Sequence, residues 1–333
     1  MNTLHLVKKL PVKTQDAAFI CFNEKYCCIL TMERVMYVYH RETMKEIVRK
    51  SKYRYINWAS FVSDDELLFR TNGGQYVIYS VASDTYTWEY QYLPNDDLLE
   101  CTPVLCGDYL LDYDLGDAED NPRAESLFIL NYRTGEINTL IDSTIERTNI
   151  GELCASVQAG HAYFYTGYEL HDINIEKFSS KYVFQDKDIV VDRERDFIIK
   201  PERHGGVLWQ RTLSAPDEKT IICDVLFHDA IRNKNVVLEK HNTVSLAEHY
   251  SANLADNSFF SESGRYIAIE YFDSRFKNNP AGKLQHGLRI VDLDSETDVY
   301  TATEMPIINA LQWVGDMLYV FIGNAVYMWN AEN

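Results

Sequence analysis

Residues 56–90, INWASFVSDDELLFRTNGGQYVIYSVASDTYTWEY, read as four short strands in succession. Ile56–Val62 and Leu67–Thr71 flank a polar turn at 63–66, and Gln75–Val81 follows Asn72-Gly73-Gly74. Ser83-Asp84 then turns the chain into Thr85–Tyr90. Each run is β-branched or aromatic, and each boundary carries residues that favour tight turns. The stretch is one antiparallel four-stranded unit.

The same unit recurs along the chain. An apolar run, a small or charged pair and a second apolar run meet at seven places, with anchors at residues 24, 65, 107, 160, 217, 264 and 315. The spacing, 41 to 57 residues, is that of four-stranded blades arranged around an axis. Hairpins with a charged turn at 37–49, 127–141, 189–200 and 288–302 read as third and fourth strands. The sequence therefore predicts an all-β chain forming a single seven-bladed β-propeller domain over 1–333. Its blades run over 14–50, 51–94, 98–142, 150–203, 205–250, 253–303, and 305–333 with 2–12. The last blade lacks a fourth strand at the C-terminal end, and Leu4–Leu10 has no other place. Pairing the two would close the ring and remove its open edges. An eight-bladed count, with 169–205 as an extra blade, is the alternative.

The hairpin LNYRTGEI (130–137), the segment APDEKTIICDV (215–225) and the closing VYMWN (326–330) resemble parts of the WD40-like superfamily of seven-bladed propellers. The resemblance spans the whole chain. No blade combines a Gly-His pair with the terminal Trp-Asp of that superfamily, which makes the chain a divergent relative. The resemblance implies a rigid disc whose function lies in its loops.

Composition narrows the partners. Lys and Arg total 32 against 50 Asp and Glu, a net charge of −18. Such a surface repels nucleic acid and anionic lipid and attracts basic groups, and acidity also serves solubility. No apolar run has the length of a signal peptide or a membrane span, and the seven cysteines are odd in number and show no CxxC pair. These features predict a cytoplasmic protein with reduced thiols, monomeric on its own, without a cofactor.

In a propeller the connections from second to third strand emerge on one face, together with those between blades. Three are read as long here, 112–126, 170–187 and 272–287, and long loops in a compact fold are commonly functional. The first carries Asp112, Asp114, Asp117, Glu119 and Asp120, and the third carries Arg275, Lys277 and Lys283. A basic run with interleaved tyrosines, including Lys50, Lys52 and Arg54, joins the first two blades and suits an acidic peptide. The leading expectation is a non-catalytic scaffold holding a protein or peptide on this face, with Asp114, Asp117, Glu119, Asp120, Arg275, Lys277, Lys283, Lys50 and Arg54 as contact residues. The alternative is a divalent-metal hydrolase or lactonase. Its ligands would be Glu100, Glu152, His204, Asp256 and Asn309, read at the channel mouth, a set that resembles that of propeller lactonases.

Overall fold

A computed structural model describes residues 4–10, 17–31, 35–53, 55–71, 73–91, 102–114, 126–140, 153–158, 160–165, 169–177, 179–185, 197–217, 220–229, 234–245, 258–272 and 286–331. Every regular element among them is a strand. β1 is His5–Lys9. The first sheet holds β2 (Ala17–Phe22), β3 (Tyr26–Thr31), β4 (Met36–His40) and β5 (Lys45–Lys50), and the second β6 (Ile56–Phe61), β7 (Glu66–Thr71), β8 (Gln75–Ser80) and β9 (Thr85–Gln91). The third holds β10 (Val104–Cys106), β11 (Tyr109–Asp114), β12 (Ser126–Asn131) and β13 (Ile137–Leu140). The fourth holds β14 (Leu153–Ala155), β15 (His161–Tyr165), β16 (Glu169–Asn174) and β17 (Ser179–Gln185). In the fifth are β18 (Phe197–Pro201), β19 (Val207–Asp217), β20 (Thr220–Asp229) and β21 (Lys234–Ser245), and in the sixth β22 (Ser258–Phe260), β23 (Tyr266–Phe272), β24 (His286–Asp292) and β25 (Thr297–Met305). The seventh runs β26 (Ile308–Val314), β27 (Met317–Ile322), β28 (Ala325–Asn330) and then β1. Seven antiparallel four-stranded blades thus form a ring, and the eight-bladed count is set aside.

Closure is direct. β1 pairs antiparallel with β28, His5 opposite Met328 and Lys9 opposite Ala325. The Leu10 N–H then donates to the Asn324 carbonyl at 2.7 Å, and the Leu10 side chain is buried.

Among the described residues the core is divided into seven clusters, one at each seam between blades. This follows from the period of two in a strand. On β7, Leu67 and Phe69 face the first blade, whereas Leu68 faces the third. On β11, Leu110 faces the second blade and Leu111 the fourth. A second strand is therefore covered on both sides, so YCCILT and ELLFRT are nearly continuous apolar runs rather than alternating ones. First strands line the axis, β2 touching both β6 and β26, and fourth strands such as β9 are half exposed.

The fourth and fifth blades differ from expectation. Residues 170–187 do not form a long loop: β16 and β17 occupy 169–174 and 179–185. The polar residues that suggested a loop are structural, since His171 is buried on Phe164 and Asp172 is buried against His161. Of the expected hairpin 189–200, residues 197–200 belong to the first strand of the fifth blade, and 186–196 lie outside the described residues. Pro216-Asp217 is not a turn from first to second strand. It ends β19, and Asp217 pairs with Thr220 of the third strand. The turn from first to second strand in this blade is instead 202–206, and the fifth blade begins at β18.

Candidate functional site

The alternating strand directions sort every connection onto one of two faces. Turns from first to second and from third to fourth strand lie on one face, here the turn face. Connections from second to third strand, and between blades, lie on the other, the loop face. Asp114 is the last residue of β11, opposite Ser126, and so stands at the loop face. Asp117, Glu119, Asp120, Arg275, Lys277, Lys283 and Arg54 lie outside the described residues, as do Glu100, Glu152 and Asp256.

Two residues before the end of β11 lies one half of a buried ion pair. Arg70 of β7 and Asp112 of β11 are joined across the seam, the two side chains 1% and 0% exposed. Asp112 also accepts from the Tyr76 hydroxyl at 2.7 Å, and the Arg70 Nε–H donates to Asn57 at 3.0 Å. Burial, with the Asp112 charge beside it, pushes the Tyr76 hydroxyl pKa well above its usual value. Asp112 is thus part of the seam rather than of the acidic loop in which the sequence placed it. A charge at the end of an otherwise apolar second strand, LLFRT in one blade and YLLDY in the next, was the available signal.

Lys50 and Lys52 of the basic run between the first two blades are already engaged within the chain. Lys50 pairs with Asp84 at 2.7 Å. Lys52 pairs with Glu89 at 2.7 Å, and its ammonium lies 4.6 Å from the ring centroids of both Tyr53 and Tyr86. The hydrogen bond from Lys52, then that from Tyr53, draws the Glu89 carboxyl below its ordinary range. Lys50 and Tyr79 do the same for Asp84.

His204 and Asn309 do not share one end of the channel. Asn309 is near the start of β26, on the loop face, and its Oδ1 accepts the Gly323 N–H at 2.8 Å. His204 follows the end of β18 and lies on the turn face. Among the described residues no group of three or more His, Cys, Asp or Glu is placed to hold a metal ion.

On the turn face, neighbouring turns are stitched together at several seams. Asn23 donates to the carbonyls of Ser63 and Asp64, and Lys25 pairs with Asp64 at 2.9 Å. The Val157 N–H donates to the Arg203 carbonyl, and the Glu262 N–H to that of Gly315. Between the fifth and sixth blades the turns instead border a cavity of about 180 Å³. Its apolar wall is Phe227, Val236 and Leu293, continuous with the seam core, and its polar lining includes Glu202, His204, Asp229, Lys234, Ser263, Arg265 and Asp294.

Glu202 is 2% exposed and is held by its own turn. Its Oε2 accepts the His204 N–H at 2.8 Å, and its Oε1 meets His204 Nδ1 at 2.6 Å. Two glycines make room for this arrangement. A Cβ on Gly264 would stand 2.6 Å from His204 Nδ1 and 2.9 Å from Glu202 Oε1, and one on Gly206 only 2.5 Å from the Phe227 ring. The sequence drew attention to His204 but not to Glu202, because a carboxylate three residues before a Gly-Gly pair reads as solvated. A second hollow, about 230 Å³, opens on the axis among Cys154, Pro201, Phe259, Phe260, Leu311 and Trp313 and is mainly apolar.

No family model matches the sequence, and no curated protein matches it. Solved structures with the same fold include the β-propeller domain of Cps50 (Swd1) from Myceliophteria thermophila. It has a TM-score of 0.60 and 10% identity, over 99% of this chain and 100% of that one. The computationally designed Ika8 protein is another, with a TM-score of 0.55 and 9% identity over 98% and 99%. The likeness is one of fold alone, that of a β-propeller.

Proposed function

We propose that the chain is a non-catalytic scaffold that holds a protein or peptide partner on its loop face, with the connections 115–125 and 273–285 making the contact. The observation that supports this reading is the frame below the first connection. It leaves β11 and rejoins the ring at β12, and the Asp112 just beneath it is locked to Arg70 and Tyr76 of the neighbouring blade. The second connection likewise joins β23 to β24, whose Ile267 and Val291 are buried in a seam core. Segments presented from a rigid disc lose little frame entropy on association, so contact energy is retained as affinity.

The six described cysteines are free thiols and five are buried, which suits a reducing compartment such as the cytoplasm. Among the described residues no helix is long and apolar enough to cross a membrane. The test replaces 115–124 or 274–284 with a short Gly-Ser bridge and compares affinity capture from native extract with that of the unaltered chain. Partners retained by the unaltered chain and lost from both variants, at unchanged melting temperature, are the expected result. Equal capture by all three proteins defeats the reading.

A further inference from the structure

At the turn-face end of the axis, the mainly apolar hollow meets a cation that the fold leaves without a counter-charge. We propose that this hollow binds a small organic monoanion, a carboxylate carried on an apolar body such as a phenyl ring or a short alkyl chain. Its walls, its charge and its rigidity lead there.

The walls come from the first strands of four successive blades. Cys154 of β14, Pro201 at the end of β18, Phe259 and Phe260 of β22, and Leu311 and Trp313 of β26 surround about 230 Å³. Small-molecule sites are concave and largely apolar, with a few polar groups that fix orientation, and those for drug-sized ligands run to roughly 300 to 1,000 Å³. This hollow is smaller, so it suits one ring or one short chain.

The charge is that of Arg203, which borders the hollow. Among the described residues its guanidinium has no carboxylate partner, whereas Arg70, Arg133, Arg211, Arg265 and Arg289 are each held by one. The Arg203 Nε–H is enclosed and meets no acceptor, so the group bears a desolvation cost that a nearby anion offsets. The residue is partly exposed, which leaves its terminal N–H groups as the fork for a carboxylate. Glu202 is the acid on the lining, but His204 already engages both of its oxygens. A net charge of −18 repels polyanions at long range, and a single negative charge on an apolar body suffers least.

The site is built before a ligand arrives. The Trp313 indole N–H donates to the Phe259 carbonyl at 2.8 Å, and its ring stands edge-on to Trp329. The Arg203 carbonyl accepts the Val157 N–H at 3.0 Å, which ties the backbone of the arginine to the fourth blade. Little ordering therefore opposes binding.

The test titrates 3-phenylpropanoate, and separately its neutral amide, into the full chain at low ionic strength, with saturation-transfer NMR as the readout. The carboxylate is expected to bind saturably and the amide at least about tenfold more weakly. Arg203→Met keeps an apolar stem and removes the charge, and is expected to weaken the carboxylate by at least about tenfold while leaving the amide unchanged. Arg49→Met removes the same charge from an outer strand, where Arg49 lies over Tyr37, and leaves both ligands unchanged. Leu311→Trp fills the hollow and is expected to abolish binding of both ligands at an unaltered circular-dichroism spectrum. Replacement of 274–284 leaves binding unchanged, which separates this site from the loop-face reading. Equal affinity for carboxylate and amide, equal weakening by Arg203→Met and Arg49→Met, undiminished binding by Leu311→Trp, or no saturation at about 10 mM ligand would each overturn the proposal.

Discussion

Arg70 and Asp112 hold each other's charge where water is almost wholly excluded, and removing one strands the other. Asp112→Ala should lower unfolding free energy by about 3–5 kcal/mol, because the guanidinium keeps its desolvation cost without its counter-charge. Joint replacement, Arg70→Met with Asp112→Leu, should recover most of that loss in urea denaturation, since the cost comes from the unpaired charge rather than from the missing contact. A double variant as unstable as the single one would show that the pair itself supplies the stability. Gly264 makes a second residue-scale case. Its φ of +71° and the approach to His204 and Glu202 leave no room for a side chain. Gly264→Ala should cost about 1–3 kcal/mol and displace the His204 ring, visible as a changed imidazole signal by NMR.

β1 shows what a single element contributes. It covers the open edge of β28 and closes the ring, with Leu10 sealing the seam to the first blade. Deleting residues 1–10 leaves β28 as an exposed edge beside a core seam, so the shortened chain should melt earlier and self-associate in size-exclusion chromatography with light scattering. A truncated chain that stays monomeric at the original melting temperature would contradict this role. Element by element, the sequence was legible where blades are regular. The turns at 64–65, 107–108, 263–264 and 315–316 each separate a first strand from a second, and Leu4–Leu10 could be placed by elimination. It was misleading in the fourth and fifth blades for physical reasons. β16 carries His171, Asp172 and Asn174, whose hydrogen bonds and stacking replace the apolar periodicity that marks a strand. β19 and β20 run 11 and 10 residues, so the Pro216-Asp217 turn chemistry falls at the far end of an extended hairpin. The seam cavity was illegible because its parts are distant in sequence. Glu202 and Asp294 are brought together only when the fifth blade lies against the sixth.

At the scale of the whole molecule, closure makes the ring depend on its seams, and several of those are tied by carboxylates that must stay ionised. Lys50 and Tyr79 lower the Asp84 pKa, and Lys52 and Tyr53 that of Glu89. Burial works against ionisation of Asp292, but Arg265 and the backbone N–H groups of Ser295 and Asp294 outweigh it and lower its pKa as well. A carboxyl whose pKa is depressed in the folded state contributes stability that is fully present above its unfolded value, about 3.9 for Asp and 4.3 for Glu, and is lost as pH falls through the folded value. The three therefore act in one direction, and acid should loosen the first and second blades and the turn of the sixth together. Charge on the whole chain acts in the other direction at neutral pH, where a net −18 confined to a compact disc repels itself. Partial protonation relieves that repulsion before it reaches the tied carboxylates. Melting temperature at low ionic strength is expected to rise as pH is lowered from 8 toward about 5, then to fall steeply below about 4. Moderate salt should flatten the first limb, since it screens exposed charge, and leave the second, which depends on close pairs. A profile that declines steadily from pH 8 downward would mean that relieving the net charge does not stabilise the ring, since the tied carboxylates stay ionised above about pH 5. A profile still rising at pH 3 would mean that they hold nothing.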